Sequence, residues 1–360
     1  MDTTATYLDQ SRLANAKNAY TTRRVDHDRL VTLVTGDVTP WPGDLLLARV
    51  VELGQHDKIE RPDGRKSQLF VGDEILVAYG NRYAPDQFEA EIPRNPKQCH
   101  LVAGGGVAAE VVSNHAEMDP PTTIEPIGLV GDAEGQVFNL RGTALSRPLP
   151  AASRPFTVAV VGTSMNAGKT TSASYLVHGL AAGGRRVGAA KVTGTGAGKD
   201  HWLMADAGAE IALDFVDAGY PSTYKIPNTA VLDILDLLSG HLAMEGMDAV
   251  VLEVADGLYQ RETCTLLETP AFRDAVDAVM FASGDAMGGA SGIAWLRERD
   301  LPVCGLGGLL TASPLAMREA ETAVDVPVFN LEALADAGIF ERIVAEIAEP
   351  MAVGVAVAAS

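Results

Sequence analysis

The feature that most constrains the fold of this sequence is the stretch at residues 156–171, FTVAVVGTSMNAGKTT. Its first six residues form an apolar, β-branched run, which predicts a strand buried on both faces of a parallel sheet. A loop of small residues follows, and Lys169 then opens a helix. The free N–H groups and the positive dipole end of a helix N-terminus favour bound phosphate. We therefore predict a phosphate-binding loop between this strand and this helix.

The residue types in the loop each have a use in phosphate binding. Gly168 lets the backbone approach the ligand, Lys169 reaches the β- and γ-phosphates, and the Thr170 hydroxyl coordinates Mg²⁺. Five residues separate Gly162 from Gly168, where the common motif has four, so Thr163 occupies the first glycine position. A glycine-rich turn without a ligand is the alternative interpretation. The predicted phosphate-binding residues are Gly162, Thr163, Ser164, Asn166, Ala167, Gly168, Lys169, Thr170 and Thr171.

Charge and cysteine content argue against several classes of function. The 360-residue chain has 47 acidic and 28 basic residues, a net charge of −19, which disfavours a nucleic-acid partner. Cys99, Cys264 and Cys304 are far apart, so neither a zinc site nor a disulfide framework is expected. The N-terminus lacks the pattern of a signal peptide, and no apolar run reaches the roughly 18 residues that span a bilayer. We expect a cytoplasmic protein without a membrane partner.

The sequence divides into two regions with different patterns of predicted strands and helices, which predicts two domains. Residues 1–150 contain a candidate helix at 7–20, a candidate strand at 137–140, and Gly-Asp turns that each precede an apolar strand. This pattern is typical of a small β-barrel, and a Pro- and Gly-rich linker ends the β-rich domain. Residues 151–350 form the second domain, followed by a short apolar tail at 351–360.

The second domain alternates between apolar strands and helical segments. Strands are predicted at 187–192, 249–254, 278–282 and 301–306, and a long final helix at 331–348. This alternation predicts an α/β domain with a parallel sheet and helices on both faces. Ligands of such sheets bind beyond the carboxyl ends of the strands.

Charged residues stand where two of these strands end. Lys191, at the end of the second strand, is either a surface lysine or a group that stabilises charge on a transferring phosphoryl group. Glu253 closes an apolar strand, where an acid is costly unless Mg²⁺ or its bound water is the partner. Asp256 follows shortly after. We predict Lys169, Lys191, Glu253 and Asp256 as catalytic residues.

Metal ligands and substrate contacts are predicted around the same strand ends. The candidate Mg²⁺ ligands are Thr170, Asp200 and Glu253, since Mg²⁺ takes one or two carboxylates beside phosphate oxygens. Asp200 could equally cap a helix. Three glycines at 104–106 form either a tight turn packed on the second domain or a ligand-contacting loop between the domains. The loop at 214–224, with two tyrosines and several hydroxyls, is a candidate contact for a small polar substrate.

The loop sequence GTSMNAGKT, with its additional residue, resembles that of the dethiobiotin synthetase branch of P-loop proteins. A strand-end lysine, a helix-opening aspartate and a strand-end glutamate follow in the same order, here Lys191, Asp200 or Asp206, and Glu253. The resemblance covers about residues 156–310 and implies a P-loop NTPase-like fold. It also implies that ATP and Mg²⁺ activate a carboxylate or carbamate as a phosphoryl anhydride.

The chain also resembles a bacterial P-loop family, formerly uncharacterised, in which some members N-acetylate D-glutamate or D-aspartate. The shared features are the G-T-x-x-x-x-G-K loop, a Thr-Gly-rich turn after the second strand, here at 193–196, and a preceding N-terminal domain. This resemblance implies that the loop holds the diphosphate of coenzyme A.

Three functions are therefore open on the sequence. The first is an ATP- and Mg²⁺-dependent ligase or kinase acting on a small carboxylate or amine. The second is an N-acetyltransferase of an amino acid, with acetyl-CoA as the cofactor. The third is a nucleotide-binding maturation or regulatory protein. Lys191 and the tyrosine-containing loop favour an enzyme with a small-molecule substrate. The absence of an Asn-Lys-x-Asp sequence favours ATP over GTP, and a homodimer stays open.

Overall fold

The computed structural model of the chain describes residues 3–151 and 153–348. Two large sheets organise these residues, a mainly antiparallel one before residue 132 and a parallel one after residue 155. The predicted tail at 351–360 lies outside the described residues. Within the described ranges no helix is long and apolar enough to cross a membrane.

The first region is rich in short strands and contains one short α-helix, α1 (Gln10–Asn15). Its strands are β1 (Thr4–Tyr7), β2 (Lys17–Asn18), β3 (Thr32–Thr35), β4 (Leu45–Glu52), β5 (Lys58–Glu60), β6 (Lys66–Gln68), β7 (Glu74–Tyr79), β8 (Arg82–Tyr83), β9 (Phe88–Glu91), β10 (Cys99–Ala103), β11 (Val107–Asn114) and β12 (Thr122–Gly131).

Five of these strands close into a barrel. β12 pairs with β4, β4 with β7, β7 with β11, β11 with β10, and β10 again with β12. Alternate residues of β4, namely Leu46, Ala48 and Val50, are buried in one core together with Ile75 and Val77 of β7. This period of two is what a strand with one face in a barrel interior requires. The predicted β-rich, barrel-like first region is confirmed.

The second region is a parallel sheet with helices on both faces. Its strands are β13 (Phe156–Gly162), β14 (Val187–Lys191), β15 (Ile211–Asp214), β16 (Ala249–Glu253), β17 (Ala278–Ala282) and β18 (Val303–Gly307). Its helices are α2 (Lys169–Ala182), α3 (Gly198–Asp206), α4 (Asn228–Met244), α5 (Arg261–Leu267), α6 (Pro270–Ala275), α7 (Ala286–Arg297), α8 (Pro314–Ala323), α9 (Leu331–Leu334) and α10 (Ile339–Ala348).

The order of the parallel strands is β15-β14-β16-β13-β17-β18, which places β13 and its loop near the centre. One hydrophobic core lies between the sheet and α4 to α8, and the other between the sheet and α2, α3, α9 and α10. Because both faces are covered, the central strands are mainly apolar, and the charged residues of β14 and β16 stand only at their carboxyl ends. The predicted α/β fold class is confirmed.

Two predicted elements of the first region are wrong. Of the predicted helix at 7–20 only α1 forms, because Ala16 turns extended and the next residues pair with β7. The Asp9 side chain caps the short helix by accepting from the Ser11 N–H. The predicted strand at 137–140 is replaced by isolated bridges and a 3₁₀ turn at Leu140–Thr143.

The predicted final helix at 331–348 is divided into α9 and α10. The Asp336 side chain accepts from the Gly338 N–H at 2.9 Å, and this local turn interrupts the helical hydrogen bonds. The two shorter helices still cover the same face of the sheet.

The segment after α1 ties the two regions together. Tyr20 is fully buried in a core of the parallel sheet, and its hydroxyl donates to Asp214 at 2.6 Å. Arg23 forms ion pairs of 2.8 and 2.7 Å with Asp214 and Asp217, both buried. The loop at 214–224 thus serves the contact between the regions, and none of its residues lines the cleft described below.

Candidate functional site

A cleft of about 690 Å³ separates the carboxyl edge of the parallel sheet from the barrel. On the sheet side it is lined by the loop after β13 and by the ends of β14 and β16. On the barrel side it is lined by residues of β5 and β8 and by the glycine turn at 104–106. The position agrees with the rule that open parallel sheets bind ligands beyond the carboxyl ends of their strands.

Left-handed backbone at two positions shapes the loop after β13. Asn166 has φ of 65° and Gly168 has φ of 96°. A Cβ on Gly168 would lie 2.8 Å from the Leu309 nitrogen, so a side chain would not fit there. The Leu309 N–H also donates to the Ala167 carbonyl at 2.9 Å, which fixes the loop to the segment after β18.

Lys169 is folded over this loop. Its Nζ donates to the Ser164 carbonyl oxygen at 2.6 Å, and the side chain is buried. Burial lowers the pKa of Lys169, against the opposing effect of Glu253 and Asp256. A Cβ on Gly162 would come within 2.9 Å of the Lys169 Cγ, so the glycine leaves room for this conformation. To bind a phosphate, Lys169 has to exchange a carbonyl for the ligand.

A second lysine connects two neighbouring strand ends. Lys191 and Glu253 are register partners at the carboxyl ends of β14 and β16. The Lys191 Nζ donates to Glu253 Oε1 at 3.1 Å and also to Asp200. Burial by itself would lower the pKa of Lys191, but the two carboxylates outweigh it and raise the pKa. Lys191 is therefore a fixed positive charge at the floor of the cleft.

The geometry around Glu253 fits a divalent cation. Glu253 is buried, its Oε1 accepts from the Thr170 hydroxyl at 2.8 Å, and its Oε2 has no partner in the described residues. A hydroxyl and a free carboxylate oxygen beside a phosphate site are the protein ligands that Mg²⁺ typically uses. Asp200 contacts Lys191 rather than this pair. Among the described residues no cluster of three or more His, Cys, Asp or Glu is arranged to hold a metal.

Asp256 is placed to change its charge near neutral pH. Only 8% of the residue is exposed, and burial raises the pKa of its carboxyl to about 6, although Lys169 and Lys191 oppose the shift. A carboxyl with this pKa can take up or release a proton close to physiological pH. Asp256 is thus the candidate general base or acid of the cleft.

The structure brings most of the predicted site residues into one cleft. Nine of them line it, namely Asn166, Gly168, Lys169, Thr170, Thr171, Lys191, Asp200, Glu253 and Asp256. The other four, Gly162, Thr163, Ser164 and Ala167, lie outside the lining, and the Thr163 N–H donates to the Ala282 carbonyl.

The glycine turn at 104–106 satisfies both interpretations that the sequence left open. Gly104 and Gly105 line the cleft. At the same time a Cβ on Gly105 would lie 2.1 Å from the Gly196 carbonyl oxygen, so the turn is packed directly on the second region.

Three residues on the barrel side of the cleft were not predicted from the sequence. His56, Arg82 and Asp86 line it, and the Asn166 amide donates to Asp86 at 2.8 Å, which connects the barrel to the phosphate loop. The available signal was an arginine in the polar sequence GNRYAPD directly after an apolar strand. That pattern alone does not indicate which region the arginine faces.

No protein family and no curated protein matches this chain in sequence. Several solved structures are similar to parts of it. The signal recognition particle receptor FtsY from Elizabethkingia anophelis is 14% identical with a TM-score of 0.35, over 60% of this chain and 76% of the receptor. FtsY of the Physcomitrella patens chloroplast is 20% identical with a TM-score of 0.36, over 58% of this chain and 70% of the other.

A third similar structure is the 54 kDa signal recognition particle protein from Aeropyrum pernix K1 in complex with GDP. It is 19% identical with a TM-score of 0.36, over 54% of this chain and 50% of the other chain. Likenesses at this level do not carry over a ligand or an activity. The P-loop fold of the second region rests on its strand order and on the loop geometry described above.

Proposed function

We propose that this protein is an ATP- and Mg²⁺-dependent enzyme of the ligase or kinase type, which activates a small carboxylate or amine metabolite by phosphoryl transfer in the cleft. The observation that carries the proposal is the Thr170–Glu253 pair beside the phosphate loop, with one buried carboxylate oxygen left without a partner. The resemblance of the loop to the dethiobiotin synthetase branch supports the same reaction class.

The cleft residues have separable roles in such a reaction. The loop amides and Lys169 bind the polyphosphate, and Lys191 provides positive charge where the phosphoryl group transfers. Thr170 and Glu253 would hold Mg²⁺, which supplies charge neutralisation at the phosphates when bound. When the attacking group is an amine, Asp256 accepts the proton that the amine releases, since burial places its pKa at about 6.

A second candidate is transfer of an acyl group from coenzyme A to an amine, with the CoA diphosphate on the same loop. Asp256 supports it, because an ammonium substrate must lose a proton before it can attack an acyl carbon. Glu253 argues for the first candidate, since a diphosphate held without Mg²⁺ does not need a buried acid beside the loop. No contact within the described residues favours the third function, a nucleotide-driven regulator.

Ligand-induced stabilisation separates these candidates. We expect ATP with Mg²⁺ to raise the unfolding midpoint of the full chain, because a ligand bound only to the folded state stabilises it. The same measurement with GTP and Mg²⁺ tests base preference, and with acetyl-CoA it tests the second candidate. An acetyl-CoA shift without an ATP shift would contradict the ligase or kinase proposal.

Lys169→Ala is the variant that tests the loop. We expect it to abolish the ATP–Mg²⁺ shift, since it removes the positive charge that the phosphates require. Lys97→Ala, which changes an exposed lysine paired with Glu110 on the barrel, is the matched control and should keep the full shift. An unaltered shift in Lys169→Ala would place the nucleotide elsewhere.

A further inference from the structure

We propose that Arg82, on the barrel side of the cleft, binds the carboxylate of the small-molecule substrate, so that the two regions each supply half of the active site. This inference deepens the proposed function and rests on it for the identity of the site. It assigns to the barrel a role in substrate recognition.

Arg82 is a buried cation that forms no direct ion pair with any described residue. Only 7% of the residue is exposed, and among the described residues no carboxylate oxygen lies within 4 Å of its guanidinium. Its two hydrogen-bond partners are Gln87, at 2.8 Å, and the imidazole of His56, at 2.8 Å. These contacts use at most two of five N–H donors, and Nε has no partner. A buried charge left unpaired in this way is strongly unfavourable, which points to an anion that binds there.

The neighbouring groups do not supply that anion. Burial lowers the pKa of His56 to about 4, so its imidazole is neutral. Phe88 offers only a distant ring, 6.0 Å from the guanidinium carbon. One oxygen of Asp86 accepts from Asn166, and neither oxygen forms an ion pair with Arg82. Asp86 and Asp256 attract the Arg82 guanidinium at longer range, but neither has an oxygen within 4 Å of it.

The charge of the barrel side favours a carboxylate over a phosphate. Three cations and three acids of this region line the cleft, namely Lys58, Lys66, Arg82, Asp57, Glu60 and Asp86. Because these charges balance, the barrel side has no excess positive charge to hold a phosphate dianion, and a monoanionic carboxylate at Arg82 leaves less excess negative charge there. A planar carboxylate also matches the planar guanidinium.

Binding of small dicarboxylates tests the proposal. The probes are succinate and glutarate, with succinamide, glutaramide and inorganic phosphate as comparisons, measured on the full chain by ligand-observed NMR and calorimetry. We expect at least one dicarboxylate to bind the wild type and the diamides and phosphate not to bind. In Arg82→Gln the dicarboxylate affinity should fall about ten- to a hundredfold, the worth of a charge-assisted hydrogen bond.

A second variant, Gln87→Glu, tests the proposal even if Arg82→Gln does not fold. It places a carboxylate on the guanidinium that Gln87 now contacts, so the midpoint should rise while dicarboxylate binding weakens at least tenfold. Dicarboxylate affinity equal to that of the wild type in both variants, binding of phosphate alone, or no dicarboxylate binding to the wild type would each overturn the proposal. The ATP–Mg²⁺ shift of the wild type, measured in parallel, decides the proposed function separately.

Discussion

The two sides of the cleft differ in whether their cationic side chains already have charged or hydrogen-bonded partners in the protein. On the loop side two lysines already have partners: Lys169 donates to the Ser164 carbonyl, and Lys191 lies between Asp200 and Glu253. On the barrel side Arg82 has only neutral hydrogen-bond partners. A ligand on the loop side must therefore displace existing contacts, whereas by our proposal an anion would reach Arg82 without displacing a carboxylate.

This difference determines how much free energy each side of the cleft can gain when an anionic ligand binds. Exchange of a carbonyl for a phosphate at Lys169 gains only the difference between two hydrogen bonds, since the protein–protein bond is lost. An anion at Arg82 relieves an existing cost instead, so its gain is not offset by a broken contact. Under the proposed function the loop amides would contribute selectivity for polyphosphate, and Arg82 would contribute a single charge-assisted contact.

The largest expected effect is a loss of stability, and it follows from breaking the ion pairs that join the first region to the second. Arg23→Gln should destabilise the protein by about 3–5 kcal/mol, because it leaves Asp214 buried without a cation and Asp217 with only Arg24 at 3.6 Å. Denaturant unfolding followed by fluorescence measures the change. Arg186→Gln is the control, since its pair with Glu210 is exposed and should contribute no more than about 1 kcal/mol. Similar losses in the two variants would show that the ion pair does not hold the regions together.

The second largest expected effect is a loss of Mg²⁺ affinity and turnover when Glu253, on the loop side, loses its charge. Glu253→Gln keeps an acceptor for the Thr170 hydroxyl but removes the negative charge, so the ATP shift should persist. We expect the Mg²⁺ concentration for half-maximal shift to rise about tenfold and turnover to fall about a hundredfold, as for loss of a charged transition-state contact. Glu262→Gln, at a buried glutamate outside the cleft, is the control. Full turnover in Glu253→Gln would remove that residue from the mechanism.

The smallest effect concerns Asp256, whose pKa responds to lysines of the loop side and to Arg82. Its folded-state pKa of about 6 exceeds the ordinary value of 3.8, so the folded protein binds this proton more tightly than the unfolded chain. The stability of the ligand-free protein should therefore fall as pH rises from about 4 to about 6, by on the order of 2 kcal/mol from this group.

Asp256→Asn should lack this component. The difference in unfolding free energy between the variant and the wild type, measured at pH 4, 5, 6 and 7, should increase in favour of the variant and level off above the folded pKa. A difference that stays constant across this range would mean that the carboxyl titrates normally.

The sequence predicts the parts of this protein whose structure depends on residues close together in the chain. The strand β13, the loop after it and the start of α2 were predicted because hydrophobic runs, glycines and a helix start occur side by side. The juxtaposition of Lys191 and Glu253 followed from a topological rule, since the carboxyl ends of parallel strands share one edge. The alternating strand patterns of the barrel are local in the same sense.

The parts that were missed depend on contacts between distant residues. The ion pairs of Arg23 join residues about 190 positions apart, and no local pattern distinguishes them from a polar loop with two tyrosines. The four-residue strand β15 is too short to show a period. Arg82 could be recognised as a site residue only once the barrel was placed against the sheet, because its significance is the lack of a nearby carboxylate.

The contact between the glycine turn and the Gly196 carbonyl limits how this architecture can be rebuilt. Since a single added methyl group at Gly105 would collide with that oxygen at 2.1 Å, the two backbones touch directly and no side chain can be adjusted to absorb a mismatch. A chimera that combines this barrel with the catalytic sheet of another enzyme would therefore have to transfer both turns together. The barrel and the sheet must therefore be engineered together.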